Sequence, residues 1–376
     1  MTDTSTATTG GPVAPEQPPT GPARKKGSGL SGKRILWTVA ALVALIIVNV
    51  IKDPSFLSIG INHGALNGPL IDVLRNSAPF LLIAVGMTLV VSTAGIDLSV
   101  GAVMAVGGAV AMQFLSGAGQ GLGSAILAIG LSLVVCAAVG AFNGAWVSLV
   151  GLQPFITTLI MMLAGRGIAK VITDGQNVAA TNPYVDRMAT GSILGIPTAW
   201  IFASLLVVLI YVLTRRTALG TQIESVGLNR EAARMAGIRP KAILFSVYVI
   251  SGVLAGAAGL FAVGNVMRVE PTATGLTYEM DAILAVVIGG TSLLGGKFSL
   301  SGAYLGALII SLLEETIVWL GIPNAATPAF KAMIVILVCV LQSDLMHKVF
   351  ARRKRAENGG GKTEKSAAQS TKEALA

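Results

Sequence analysis

Asp97 and Ser99 are the residues whose types and position most suggest a chemical role. They lie in residues 93–101, a short polar stretch between two long apolar runs. A carboxylate within a bilayer is costly, so by default such a residue is functional or paired. Asp97 and Ser99 could equally cap a helix that begins there, because Asp and Ser accept from free helical N–H groups. We favour the cap, at a site where the helix start also faces a pathway.

Other charged residues lie near the ends of apolar segments. Glu279 and Asp281 precede one segment and could cap it. Five more lie near segment ends: Arg166, Lys170, Glu314, Glu315 and Lys331. We interpret these five as solvated edges or interfacial pairs, with a proton relay as the alternative.

Uncharged polar side chains are sparse within the apolar segments. The notable ones are Gln113, Asn143, Gln153, Thr157 and Thr158. Amides and hydroxyls hydrogen-bond polar solutes such as sugars, but only 5% of the chain is aromatic and able to stack on a sugar ring. Together with Asp97 and Ser99, the residues Gln113, Asn143, Thr157 and Thr158 are our candidates for lining or gating a pathway. We expect a weak, transient passage, with the solute selected elsewhere.

No group of residues has the spacing of an enzyme site or a metal site. Cys136 and Cys339 fall within apolar segments and are expected to be small buried hydrophobes. His63 and His347 are far apart in the sequence. We therefore expect no catalytic residue, no metal and no cofactor.

Two stretches imitate parts of a phosphate-binding loop. Residues 27–33 resemble its beginning and residues 361–363 its end, but Arg34 stands where Ser or Thr should hold magnesium. The chain is therefore expected to bind no ATP by this route.

A short helix is marked within the basic loop of residues 215–241. Asn229 can cap it, Glu231 suits its positive first turn, Gly237 can end it, and Pro240 prevents its continuation. The core of the helix is formed by Arg230, Glu231, Ala232, Ala233 and Arg234. Helices below about 12–15 residues are marginal alone, so this one is expected to insert into a soluble partner.

Composition indicates an all-α polytopic membrane protein. The 376 residues are 53% hydrophobic and 12% charged, with a mean hydropathy of +0.75, whereas soluble domains are roughly 25% charged. About ten transmembrane helices are predicted, at residues 35–51, 78–94, 98–115, 124–149, 154–173, 197–213, 241–263, 281–295, 299–320 and 328–347. The third and eighth are short and rich in glycine, which favours broken or re-entrant helices.

Glycine pairs four residues apart occur in three of the predicted helices. They are Gly140/Gly144, Gly252/Gly256 and Gly302/Gly306. We expect them to pack helices closely, with lining of a pathway as the alternative.

Charge predicts the orientation and the domain limits. Residues 1–34 and 348–376 are predicted to be disordered basic tails around a transmembrane domain at 35–347. With both termini in the cytoplasm, twenty of the 27 Lys and Arg residues lie inside. The net charge of +9 is thus explained by membrane orientation, and no nucleic-acid partner is expected.

Several strings together resemble the ribose-type permeases of ABC sugar importers, most closely the galactofuranose-importer permeases. The strings are residues 78–88 (APFLLIAVGMT), 95–101 (GIDLSVG), 153–159 (QPFITTL), 166–167 (RG), 213–220 (LTRRTALG), 232–237 (AARMAG) and 285–293 (AVVIGGTSL), with 69–74 (PLIDVL). The resemblance covers about residues 69–347.

The resemblance implies a permease subunit in the cytoplasmic membrane that moves a monosaccharide. It implies an ABC ATPase subunit as the ATP-binding partner, a second permease copy or paralogue, an extracytoplasmic sugar-binding protein, and surrounding membrane lipid. It also implies that Asn229–Gly237 is the coupling helix, which transmits closure of the ATPase. The alternative is an ion- or proton-coupled secondary transporter of a small polar solute, for which Asp97 is the candidate carboxylate.

Overall fold

The computed structural model describes residues 29–62 and 65–342, which form a bundle of α-helices. The helices are α1 (Gly29–Lys52), α2 (Pro69–Ser92), α3 (Val100–Gly117), α4 (Leu122–Ala145), α5 (Pro154–Ile172), α6 (Pro183–Thr190), α7 (Thr198–Arg216), α8 (Leu219–Leu228), α9 (Arg230–Met235), α10 (Pro240–Val266), α11 (Tyr278–Ile288), α12 (Leu300–Trp319) and α13 (Thr327–Gln342). A π-helical turn, Trp146–Val150, extends α4, and 3-10 turns lie at Pro54–Leu57 and Asn324–Ala326.

Three small antiparallel hairpins or ladders gather at one end of the bundle. The strands are β1 (Gly60–Asn62), β2 (Ala65–Asn67), β3 (Val178–Ala179), β4 (Ser192–Ile193), β5 (Ile196–Pro197) and β6 (Arg268–Val269), paired β1–β2, β3–β6 and β4–β5. We call this the hairpin end. The opposite end, where α9 lies, we call the α9 end.

The described part of the chain is mostly helical and has the apolar helices of a polytopic membrane protein, as predicted, whereas the count of ten spans and the orientation stay predictions. In the described part of the chain, eight helices are long and apolar enough to cross a bilayer: α1, α2, α3, α4 with its π turn, α5, α7, α10 and α12. The remaining two predicted segments correspond to α11, which has 11 residues, and to the short apolar helix α13.

Three predicted boundaries differ from the structure. Helix α2 begins at Pro69, nine residues before the predicted start at residue 78. Its first turns contain Asp72 and Arg75, an ion pair of 2.8 Å, and these charged residues lower the hydropathy of the segment. Helix α11 ends at Ile288, seven residues before the predicted end, where Gly289 and Gly290 follow. Helix α1 begins at Gly29, inside the predicted tail; the rest of both predicted tails, with His63 and His347, lies outside the described residues.

Helices α2 and α10 form the centre of the bundle. The most apolar windows of these two helices are 83% and 72% buried, against 28% for α4 and for α5 and 17% for α1. Apolar residues surround α2 on every side over its inner half, which is typical of a helix enclosed by other helices. The exposed apolar faces of α1, α4 and α5 are therefore available to lipid.

Glycines bring α4 and α10 into backbone contact, as predicted from their spacing. A Cβ on Gly140 would lie 2.5 Å from the Tyr248 carbonyl oxygen and 3.2 Å from the Gly252 Cα. A Cβ on Gly256 would lie 2.8 Å from the Cys136 Sγ. Cys136 is fully buried, as expected. Small residues thus allow dispersion contacts along the whole helix pair.

Replacing Gly140 with Val should destabilise the bundle, because the added side chain meets backbone that cannot move aside. Overpacking of this kind costs about 1–3 kcal/mol. Gly130→Val is the matched control on the same helix, since nothing lies within 4 Å of a Cβ there. Thermal unfolding in detergent should show a lower midpoint for Gly140→Val than for Gly130→Val; equal midpoints would contradict the close packing.

Candidate functional site

Between α2 and α3 the chain is unwound within the bundle. Helix α2 ends at Ser92 and α3 begins at Val100, and Ala94 adopts a left-handed backbone with φ of +59°. The third predicted segment corresponds to α3, an unbroken helix of 18 residues that begins after this unwound chain; that it is re-entrant stays a prediction. Non-helical backbone at membrane depth is tolerated where protein surrounds it.

Asp97 holds this unwound segment in place. Its Oδ1 accepts from the Ser99 backbone N–H at 3.0 Å and from the Ser99 hydroxyl at 2.6 Å, and its Oδ2 accepts from the Ser251 hydroxyl at 2.9 Å. The side chain is buried. Ser251 is the twelfth of 27 residues in α10, about 17 Å from its start at 1.5 Å per residue. Asp97 therefore lies near the middle of the bundle.

The interpretation of Asp97 as a cap of α3 is wrong. The N-cap residue of α3 is Ser99, and no side chain caps the helix by a hydrogen bond. Asp97 instead accepts from the N–H of Ser99, one residue before the helix, and reaches across to α10. The sequence offered no sign of that partner, because Ser251 is 154 positions away.

Other predicted pathway residues join Asp97. Asn143 of α4 donates to the Ser99 hydroxyl at 2.9 Å. Thr158 of α5 accepts from the Leu98 N–H and donates to the Ile96 carbonyl, each at 3.1 Å. We call Asp97, Ser99, Asn143, Thr158 and Ser251 the central polar cluster. It ties the unwound segment to α4, α5 and α10.

Two predicted pathway residues lie apart from this cluster. Thr157 is buried and donates to the Gln153 carbonyl at 3.2 Å, within its own helix. Gln113 is exposed near the hairpin end of α3. Tyr248, which the sequence reading missed, is fully buried beside the cluster, with its hydroxyl 2.9 Å from a Cβ built on Gly95.

A second unwound segment, residues 270–277, meets the start of α3. The carbonyl of Gly275 contacts the position of a Cβ on Gly101, so only glycine fits at 101. Arg166 of α5 donates to the Gly275 carbonyl at 2.8 Å. Helices α3 and α11, which each follow non-helical chain, thus begin close together inside the bundle, and the positive N-terminal end of each lies there.

The acidic residues at the start of α11 are not caps, contrary to expectation. Glu279 and Asp281 lie within the first turn, and the N-cap residue Thr277 makes no side-chain cap bond. Asp281 accepts from the ammonium of Lys331 at 3.1 Å, and Glu314 accepts from it at 2.6 Å. Lys331 is therefore buried in an ion-paired cluster that joins α11, α12 and α13, and is not a solvated edge.

The predicted short helix is confirmed as α9. The Asn229 Oδ1 accepts from the Glu231 and Ala232 N–H groups at 2.9 and 3.0 Å. Gly237 follows the helix with φ of +82° and donates to the Arg234 carbonyl at 3.0 Å. The cap and the terminating glycine are where the sequence placed them.

Helix α8, which the sequence analysis missed, connects α9 to the bundle. A Cβ on Gly227 would contact the Ser92 carbonyl at the end of α2. The same carbonyl accepts from the Gly296 N–H at 2.9 Å, in the loop between α11 and α12. Ser92 lies only five residues before Asp97, so α8 and α9 are adjacent to the chain that leads into the central polar cluster.

The outer face of α9 is free in the described part of the chain. Ala233 is buried against the bundle at 4% exposure, whereas Met235 is 87% exposed and the neighbouring Leu228 is 72% exposed. Glu231 and Arg234 form an exposed ion pair of 3.2 Å. The face therefore combines apolar and charged groups, as protein interfaces do.

A bundle with eight described helices long and apolar enough to cross a bilayer, and with non-helical chain leading into α3 and α11 inside it, is the architecture of a multi-pass membrane protein. Comparison with known proteins places it further: residues 70–340 match the family described as the permease component of branched-chain amino acid transport systems, and the chain belongs to this family. No solved structure matches the chain.

Several curated relatives are similar over most of their length. The chain is 54% identical to the fructose import permease protein of Bifidobacterium longum, over 87% of this chain and 92% of the relative. It is 42% identical to the galactofuranose transporter permease protein of Escherichia coli, over 81% and 88%. It is 36% identical to the ribose import permease protein of Escherichia coli, over 81% and 92%. The resemblance to ribose-type and galactofuranose permeases is confirmed, and the fructose permease is more similar still.

Asp97→Asn should keep most stability and transport. The amide oxygen can still accept from Ser99, and the amide nitrogen can donate to the Ser251 hydroxyl. Asp97→Leu should unfold the segment, because each buried polar group left unpaired costs about 1–3 kcal/mol. Thermal unfolding and solute uptake should be measured on both variants. Loss of uptake in Asp97→Asn with normal membrane insertion would instead indicate a role for the charge.

Proposed function

We propose that this chain is the membrane-spanning subunit of an ATP-driven importer that moves a monosaccharide across the cytoplasmic membrane. The observation that carries the proposal is its likeness to permeases named for fructose, galactofuranose and ribose, at 36–54% identity over more than four fifths of the chain. The cargo is a hexose or pentose of this kind. A separate ABC ATPase subunit binds and hydrolyses the ATP.

The ATPase subunit docks on α9, the coupling helix. Support comes from the exposed ion pair and the exposed Leu228 and Met235, which leave a mixed polar and apolar face uncovered. Movement of α9 is passed through Gly227 to the Ser92 carbonyl, and from there along residues 93–97 to the central polar cluster. A partner shifts such an equilibrium only by binding the two conformations unequally, so the unequal contacts belong at α9.

The α9 end faces the cytoplasm, and all ten apolar segments cross or enter the membrane. This orientation puts Arg215, Arg216, Arg230, Arg234, Arg239, Lys241 and Lys297 on the cytoplasmic side, in accordance with the positive-inside rule. Both termini then lie in the cytoplasm. The hairpin end faces outward, where an extracytoplasmic sugar-binding protein delivers the cargo.

A second permease, either a copy or a paralogue, completes the translocation unit. The apolar faces of α4 and α5, each only 28% buried in its most apolar window, are open to such a partner or to lipid.

The comparisons give no support to an ion-coupled transporter. In the structure the candidate carboxylate, Asp97, accepts from Ser99 and Ser251, and Asp281 and Glu314 accept from Lys331. A branched-chain amino acid remains the second candidate cargo, because the family description names it.

Uptake by the purified complex in proteoliposomes tests this function. With the ATPase subunit and ATP present, we expect labelled fructose, ribose or galactose to accumulate, and excess leucine not to compete. The isolated chain should hydrolyse no ATP. Accumulation by the chain alone, driven by a sodium or proton gradient, would contradict the proposal. Competition by leucine would show that the cargo is an amino acid.

Exchanging the charges of the exposed pair, Glu231→Arg with Arg234→Glu, should uncouple ATP hydrolysis from uptake. The pair can still form within α9, at a helix-dipole cost of about 0.3–1 kcal/mol per charge. The ATPase subunit, however, meets a positive charge at position 231 and a negative charge at position 234. We expect at least a tenfold loss of uptake at unchanged protein level, equivalent to about 1.4 kcal/mol.

Asn229→Asp is the matched control for this exchange, because Asp caps a helix as well as Asn does. It should leave uptake close to that of the parent. Unchanged uptake in the exchanged variant would remove the coupling role from α9.

A further inference from the structure

A cavity of about 220 Å³ opens at the hairpin end of the bundle, and no role has been assigned to it so far. Its walls come from the middle of α2, the end of α6, the first turn of α7, the last two turns of α10, the start of α11 and the outer half of α12. Pockets for drug-sized ligands measure roughly 300–1,000 Å³. This cavity therefore suits one small ring.

The walls of the cavity offer both donors and acceptors. Asn76 and Asn265 present exposed amides, and Glu315 contributes a carboxylate. The Arg75 Nη1 is bound to Asp72 at 2.8 Å, but the Arg75 Nε is buried and has no partner within the described residues.

Aromatic rings close the cavity on its inner side. The rings of Phe80 and Tyr278 are stacked, with centroids 4.7 Å apart and planes 7° from parallel. Phe80 lies five residues beyond Arg75 on α2, about 7 Å deeper into the bundle. Polar groups at the rim and an aromatic floor form a combination that suits a sugar ring, which has hydroxyl edges and an apolar face.

We propose that this cavity binds a single neutral sugar ring on its way into the permease, within one copy of the chain. The inference rests on the proposed function and adds to it a place where the cargo is held. The carboxylate of Glu315 disfavours an anionic ligand, whereas Lys331 already neutralises Glu314 and Asp72 neutralises Arg75. The charge of the walls thus selects uncharged sugars over sugar phosphates and sugar acids.

The floor of the cavity connects it to the moving parts of the bundle. Tyr278 is the first residue of α11, directly after the unwound segment 270–277 whose Gly275 contacts Gly101 of α3. A sugar ring bound against Phe80 and Tyr278 therefore lies at the start of α11. Rearrangement of that segment would open the floor towards the α9 end.

Cysteine protection tests the cavity directly. Asn265→Cys places a thiol at its rim, and the thiol should react with a membrane-impermeant maleimide in vesicles that hold the complete complex. Saturating fructose, ribose or galactose should slow this reaction about tenfold, because roughly ten times the dissociation constant leaves about a tenth of the sites open. The sugar that protects should be the one that the complex transports.

Leu194→Cys is the matched control for labelling. Leu194 is 97% exposed in the turn between β4 and β5, at the same end but outside the cavity. Its labelling rate should be the same with and without sugar. The parent chain measures the background from its own cysteines.

Transport kinetics provide the second readout. Asn265→Ala and Glu315→Gln should each raise the KM for sugar uptake about threefold to tenfold through the loss of one ligand hydrogen bond, without altering ATP hydrolysis by the complex. Gln120→Ala removes an exposed amide that contacts Thr181, away from the cavity, and should change neither value.

The outcomes separate this inference from the proposed function. If the parent complex accumulates a sugar but that sugar protects the Asn265→Cys variant no more than the Leu194→Cys variant, the cavity is overturned and the function stands. If the complex accumulates no sugar in the presence of ATP, the function is overturned. Protection of the thiol at position 265 by a neutral sugar would still support the cavity in that case, and its absence would overturn both.

Discussion

The rest of this structure depends on one constraint, the need to pair the polar groups of the non-helical chain that leads into α3 inside an apolar bundle. Where α2 ends and α3 begins, backbone and side-chain polar groups lie far from water and must be paired within the protein. Asp97 meets this need, accepting from Ser99 twice and from Ser251 once. Asn143 and Thr158 complete the pairing from α4 and α5. The unwound segment is thus held by hydrogen bonds to three different helices, and its position depends on theirs.

Two kinds of contact hold the helices together: close packing at glycines and hydrogen bonds between polar side chains. The contact of α4 with α10 is made by glycines that admit backbone to backbone, and it has little freedom to change without separating the helices. The contacts of residues 93–99 are made by hydroxyl, amide and carboxylate groups, which can exchange partners at small cost. Rigid pairs therefore surround an adjustable segment, and α8 touches the bundle at the beginning of that segment, at Ser92.

Local features were predictable from the sequence, and distant pairings were not. The cap of α9 depends on Asn229 and residues two and three positions away, so its signal is contained in a short string. The spans and the glycine contacts follow from hydropathy and from spacing along one helix. Ser251 and Lys331 are 154 and 50 positions from the carboxylates they bind, and no local pattern indicates such partners. Helix α8 was missed because its N-cap residue, Ala218, has no side chain that can cap a helix.

The ion-paired Lys331 has a consequence for how the protein is made. A lysine in a membrane helix costs about 2.5–3.5 kcal/mol at the helix centre during insertion, and less towards the ends. Asp281 and Glu314, which accept from Lys331, are synthesised before it. Helix α13 is therefore stabilised by its own hydropathy and also by the carboxylates of Asp281 in α11 and Glu314 in α12. The charge of Lys331 is therefore paired when α13 packs onto α11 and α12.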